Sequence, residues 1–195
     1  MKKIDRSDVK NIYEYEKARE AIRARIIDLK RTRRVQVGPH LSFLFENRKT
    51  VLFQIQEMCR TERIVDDARV QEEIDAYNDL IPEPGELSAT LFIEIEDSAR
   101  IQELLDRFMG IDAGDRVWIQ VGKEYAIPGR FEAGRSDEER GKLSAVHFVK
   151  FAFTSEQAAA FRDAEVFLVV DHPGEQARVR LSDEAKASLM EDLLA

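Results

Sequence analysis

The chain has 195 residues, 44% hydrophobic and 35% charged, with a formal net charge of −8. That length can bury a substantial core, and 11 Phe argue against wholesale disorder. No apolar run approaches the roughly 18 residues of a membrane span, Met1–Asp8 lacks the apolar stretch of a secretory signal, and the lone Cys59 excludes an intrachain disulfide and an all-cysteine metal cluster.

A reducing, cytoplasmic location is the expectation. Charge is unevenly divided: residues 1–63 hold 16 Lys/Arg against 9 Asp/Glu, and residues 64–195 hold 14 against 29. The basic run Lys17–Arg34 reads as a solvated helix face or as a nucleic-acid surface. It has no aromatic residue between Ala18 and Arg34 to stack on bases, and the chain is acidic overall, so nucleic acid is not an expected partner.

In chain order, Ser7 or Asp8 is placed to cap a first helix carrying Val9, Ile12, Tyr13, Ile22, Ile26 and Leu29, as one piece or as two broken near Glu16–Glu20. Arg34–Phe45 alternates as an extended segment interrupted by Gly38-Pro39. Asn47 is placed to cap a helix with Val51, Ile55 and Met58 inward, and Val70, Ile74, Tyr77 and Ile81 mark another. Pro82-Glu83-Pro84-Gly85 is the strongest breaker in the chain. It divides a helical part with one strand, residues 1–82, from a sheet part, residues 86–195, within one compact unit.

Beyond it, Leu87–Ile95 alternates as a half-buried strand, Ile101–Phe108 is a helix ended by Gly110, and Val117–Val121 is a strand. Leu143–Phe153 reads as a long strand, Thr154 and Gln157 form a capping box, and Val166–Val170 reads as a central strand. Arg178–Leu181 reads as an edge strand and Ser182 caps a last helix. The expected fold is α+β: a helical N-terminal part packed on a mixed, mainly antiparallel sheet in ferredoxin-like βαββαβ order. Gly122–Gly141, with four glycines, reads as a mobile loop.

GxGxxG, Walker, GxSxG, HExxH and CxxC signatures are absent. The candidate chemistry rests on a polar cleft of His40, Gln56, Glu57, Arg60, Glu62, His147, Asp171 and His172. Asp171 would orient His172 at the end of its strand, with His147 and His172 as metal ligands for zinc or iron. The alternative is that the histidines are hydrogen-bonded structural residues and that Asp171-His172-Pro173 is a turn. Asn47, Arg48 and Lys49 at a helix start form a candidate anion site, since cations there oppose the helix dipole and free amides are on offer. Pairing of those cations with nearby carboxylates is the other reading. Cys59 reads as a core thiol.

Three strings occur together: GPHLSFLFENRKTVLFQIQEMCRTERI, AYNDLIPEPGELSATLFIEI, and SAVHFVKF followed by VDHP. They resemble the bacterial family catalogued as domain of unknown function 3501, over nearly the whole chain. Residues matching its recurring pattern include His40, Glu46, Asn47, Gln56, Glu57, Arg60, Glu62, Asn78, His147, Asp171 and His172. The resemblance implies a redox or oxidative-stress setting, with rubrerythrin-like or iron–sulfur oxidoreductase proteins as partners. The expected function is an accessory or binding protein for such a system, and the alternative is a metal-dependent enzyme using the His/Glu/Asp cleft. A homo-oligomer is left open, and no membrane association is expected.

Overall fold

The computed structural model describes residues 1–95, 97–137 and 142–194. Asp5 caps a 3-10 turn at Arg6–Asp8, and Asn11 caps α1 (Ile12–Arg33), so the caps are Asp5 and Asn11 rather than Ser7 or Asp8. α1 is one helix: it contains neither Gly nor Pro, and its Ala, Glu, Lys and Arg residues lose little entropy in a helix. α2 (Arg48–Thr61) is capped by Asn47 as expected, and α3 (Asp67–Asn78) is capped by Asp66. The Asn78 side chain pins the N-terminal segment by exchanging two hydrogen bonds with the Ile4 backbone, each 2.9 Å. Val9, Ile55, Cys59, Val70 and Ile74 belong to the core of this helical layer. Cys59 is buried within it, and burial pushes its thiol pKa up, as suits a packing thiol.

The strands are β1 (Arg34–Val37), β2 (Leu41–Glu46), β3 (Glu86–Ile93), β4 (Val117–Val121), β5 (Tyr125–Phe131), β8 (Val146–Ala152), β9 (Val166–His172) and β10 (Glu175–Arg180). They form one sheet in the order β1-β2-β3-β8-β5-β4-β9-β10, with every pairing antiparallel. A small separate ladder joins β6 (Ser136–Asp137) to β7 (Lys142–Leu143). Among the described residues there follow a 3-10 turn (Ser98–Arg100) and the helices α4 (Ile101–Arg107), α5 (Ser155–Asp163) and α6 (Asp183–Leu193). α5 opens on the expected Thr154/Gln157 capping box, and Ser182 caps α6 as expected.

This is α+β, but the ferredoxin-like order is corrected. The cause is β5. It lies inside Gly122–Gly141, which sequence patterning reads as a mobile loop, and it inserts between β4 and β8. Its two fully buried positions are Ile127 and Gly129, with Tyr125 and Phe131 partly buried against the core on the same face, and Pro128 and Gly129 break the apolar alternation that would mark a strand. Gly129 is required there: a Cβ would stand 2.7 Å from Val149 Cγ2 and 3.1 Å from both Phe151 and the Val117 carbonyl. Residues 138–141 of that stretch lie outside the described residues. The long strand expected over Leu143–Phe153 is likewise divided, with β7 and β8 separated by Ser144-Ala145.

The sheet curls until its edges approach. Gly38, at φ +68°, turns β1 into β2, and a Cβ on it would lie 2.5 Å from the Glu175 carboxyl carbon at the start of β10. The result is a nearly closed barrel. Phe43, Phe45, Leu87, Leu91, Val117, Ile119, Phe151 and Leu168 belong to its core. Phe161, Leu189 and Leu193 join that core from α5 and α6, whereas Phe108 and Ile111 enter it just after α4. β2 is buried on both faces, because its even-numbered residues, outside the barrel, lie beneath the helical layer.

Candidate functional site

α1 and α2 are locked by a carboxylate on α2. Glu57 accepts from Arg19 Nε at 2.8 Å, Arg19 NH2 at 2.9 Å and the Tyr15 hydroxyl at 2.7 Å, with Arg60 Nε at 3.6 Å. The Arg19 fork holds the Glu57 carboxyl down at about 2, assisted by Tyr15 and opposed by partial burial. The same contact raises the Arg19 pKa, and burial followed by the Glu57 contact raises that of Tyr15. Gln56, buried beside it, accepts from the Lys10 amide at 2.8 Å and donates to the Lys10 carbonyl at 3.1 Å. Glu62 is the exposed residue that ends α2.

Beside this lock a groove of about 530 Å³ lies between the two helices. Ile22, Ile26 and Leu29 of α1 and Leu52 and Phe53 of α2 form its apolar walls. Lys10, Arg25 and Lys49 stand around it. Among the described residues none of these three forms an ion pair; Arg25 donates only to the Ala21 carbonyl of its own helix.

The anion site at Asn47, Arg48 and Lys49 does not form as a unit. Asn47 Oδ1 accepts from the Lys49 and Thr50 amides, so the helix start is closed by its own cap. Arg48 pairs with Asp8 and donates to the Lys2 carbonyl at 3.0 Å. Only the Lys49 side chain remains, and it faces the groove.

The three histidines lie elsewhere, around the segment Phe108–Asp112 that follows α4. His40 meets the Phe108 ring edge-on at 6.2 Å between centroids, and His172 stacks on it at 5.9 Å. His172 Nε2 donates to the Met109 carbonyl at 2.9 Å, while its Nδ1 accepts from the Gly174 amide at 3.0 Å. Both nitrogens are thus consumed, and backbone rather than Asp171 fixes the tautomer. Asp171 is exposed and accepts from Gln176 Nε2 at 2.8 Å.

His147, fully buried on β8, donates from Nε2 to the Ser144 carbonyl at 2.8 Å. Its Nδ1 has no hydrogen-bond partner and faces Asp112 Oδ2 at 3.6 Å. Burial pushes its pKa below the usual imidazole value, against the pull of Asp112. Ser136 donates to Asp112 at 2.7–2.8 Å. Serine, aspartate and histidine are present, yet the serine binds the aspartate and a carbonyl occupies Nε2, so no proton relay from a nucleophile is built.

The expected single cleft is therefore two separate places. Gln56, Glu57, Arg60 and Glu62 belong to the helical layer, whereas His40, His147 and His172 surround the barrel end. Among the described residues, no three His, Cys, Asp or Glu side chains are placed to share a metal ion.

The model of the DUF3501 family, proteins of unknown function, matches residues 3–193. The chain belongs to this family. The DUF3501 chain is also similar to a solved structure, a protein of unknown function from Burkholderia pseudomallei, at 34% identity and a TM-score of 0.91. That match covers 98% of this chain and 100% of the other. No curated protein matches. No helix of this DUF3501 protein is long and apolar enough to cross a membrane.

Sequence reasoning missed the most deeply buried arginine–carboxylate pair among the described residues of the DUF3501 chain. Arg33, 1% exposed, pairs with Asp192 of α6, 4% exposed. It also donates to the Phe45 carbonyl at 2.8 Å, the Glu46 carbonyl at 3.2 Å and Ser188 Oγ at 3.0 Å. Burial pushes the Asp192 carboxyl up, and Arg33 pulls it back. The pair joins residues 159 apart, and in sequence Arg33 is one cation within a basic run.

Proposed function

We propose that this DUF3501 protein is a binding module whose α1–α2 groove takes the anion of a free long-chain fatty acid. One observation carries the reading: an apolar hollow of about 530 Å³ stands open between two helices with three cations around it that lack ion-pair partners among the described residues. Apolar walls favour an acyl chain through burial, at about 25 cal/mol per Å² removed from water. The cations fix which end of the ligand stays outside, because a carboxylate gains from Lys10, Arg25 or Lys49 while remaining partly hydrated, and the one carboxylate lining the groove, Asp8, is already paired with Arg48. The volume lies within the roughly 300–1,000 Å³ usual for small-molecule sites.

An accessory role, rather than catalysis, accords with the use of the titratable groups. Glu57 is taken by Arg19 and Tyr15, His172 by two backbone groups, and Arg48 by Asp8. The family resemblance supports testing rubrerythrin-like and iron–sulfur oxidoreductase proteins as the partners such a module would serve.

The test is titration with oleate below its micellar concentration, followed by calorimetry, on the wild type and on Leu52→Asp. Saturable one-to-one binding that weakens by about tenfold or more in the variant supports the reading. Absence of saturable oleate binding, equal binding by the variant, or binding only to anionic vesicles overturns it.

A further inference from the structure

A second hollow, independent of the groove, lies on the other side of α2. It is smaller, about 200 Å³, and sits between the end of α1, α2, α3 and the outer face of β2, β3 and β8. That is well above the roughly 30 Å³ share of one water and below a drug-sized site. A ligand of a few heavy atoms fits.

Its lining has an unusual charge arrangement. Glu46, 8% exposed, ends β2 and presents its carboxylate to the hollow. Thr90 donates to Oε1 at 2.8 Å and Thr50 donates to Oε2. Among the described residues Glu46 makes no ion pair, although buried carboxylates are ordinarily matched by a cation. Two hydroxyl donors leave roughly half of its acceptor sites unused. Tyr77, Phe92 and Phe148 contribute aromatic walls; Arg34 and Arg135 already lie over Phe92 and Phe148, so the aromatic attraction for a further cation rests on Tyr77.

Two basic residues line the same hollow. Arg34 is already engaged, donating to Ser42 Oγ at 2.8 Å and lying over the Phe92 ring at 4.9 Å. Lys30 makes no ion pair among the described residues; its ammonium stands 5.6 Å from the centre of the Phe53 ring. A ligand that is only a cation would meet Lys30 and Arg34. One that is only an anion would meet Glu46.

We infer that this hollow binds a small zwitterion of amino-acid size, its ammonium directed to Glu46 and Tyr77 and its carboxylate to Lys30. Only a ligand carrying both charges satisfies the buried carboxylate and the free ammonium together. The apolar walls then set the size and shape of what joins them.

The experiment is calorimetric titration of the full chain with four probes: L-valine and glycine betaine as zwitterions, choline as cation alone, and isobutyrate as anion alone. At least one zwitterion is expected to bind one-to-one and at least about tenfold more tightly than choline or isobutyrate. Glu46→Gln and Lys30→Met should each weaken it by on the order of tenfold, the effect of removing one charged partner. Lys30 is partly exposed on α1, so Lys30→Met tests the idea even if Glu46→Gln fails to fold. Leu52→Asp, in the groove, should leave zwitterion binding unchanged. Lack of binding by both zwitterions, choline or isobutyrate binding as tightly, or wild-type affinity in Lys30→Met overturns the inference.

Discussion

His147 Nδ1 and Asp112 Oδ2 face each other at 3.6 Å inside the protein, too far for a hydrogen bond, with the imidazole proton committed to Ser144 on the opposite nitrogen. Burial holds the folded-state pKa of His147 below its ordinary value of 6.5. The unfolded chain therefore binds that proton more readily. The contribution to stability is full above pH 6.5 and is lost as pH falls through the folded-state value. Thermal denaturation at pH 7.5 and at pH 5 should show a lower Tm at the acid pH. His147→Gln should lower Tm at both and reduce the difference between them. An unchanged pH dependence in that variant would show that other groups set it.

Glu57 titrates in a lower window. Its carboxyl is held at about 2 by the Arg19 fork, against 4.5 unperturbed. The stability it supplies is present above pH 4.5 and disappears as pH falls toward 2. Glu57→Gln should cost about 1–2 kcal/mol at neutral pH and shift the acid-unfolding midpoint, read by circular dichroism. A variant as stable as wild type at pH 7 would mean that the α1–α2 lock contributes nothing net.

Arg33 and Asp192 tie the end of α1 directly to α6, beside the end of β2. Asp192→Ala leaves a guanidinium buried beside carbonyl groups without its carboxylate, and should cost about 3–5 kcal/mol in urea unfolding. Replacing both, as Arg33→Met with Asp192→Leu, should recover part of that loss, since the unpaired buried charge is then gone. If Asp192→Ala costs under about 1 kcal/mol, the pair is solvated in the folded protein.

The position of β5 gives a fourth test. Gly129→Ala puts a methyl group within 2.7 Å of Val149 Cγ2 and should destabilise by about 1–3 kcal/mol. In the wild type the amide of Gln120, which lies on β4 opposite Ala126, should exchange slowly. Rapid exchange throughout Val117–Val121 would contradict the pairing with β5 and β9.

Local chemistry decided much of this molecule. Asn47, Thr154 and Ser182 cap helices because a short side-chain oxygen reaches the free amides two or three residues on, which needs no distant partner. The alternation Leu87, Ala89, Leu91, Ile93 marks β3 because successive strand side chains face opposite ways. These features were legible one segment at a time.

What only tertiary structure decided depends on residues far apart in sequence. Gly129 has no side chain to signal a strand; its role exists because Val149 and Phe151 pass close to it. His172 was legible as a residue at a strand end, but whether its nitrogens were free depended on Met109, 63 residues away. The candidate cleft divided for the same reason, since sheet closure carried the histidines to the barrel end while α2 kept Glu57 against α1. The sequence by itself determined the helical segments, the strands whose inner face is marked by alternating apolar residues, and the caps at Asn47, Thr154 and Ser182, but not β5. The order of strands, the buried Arg33–Asp192 pair and the two hollows beside α2 come from the packing of elements on one another, because burial and pairing are properties of surfaces that no single segment contains.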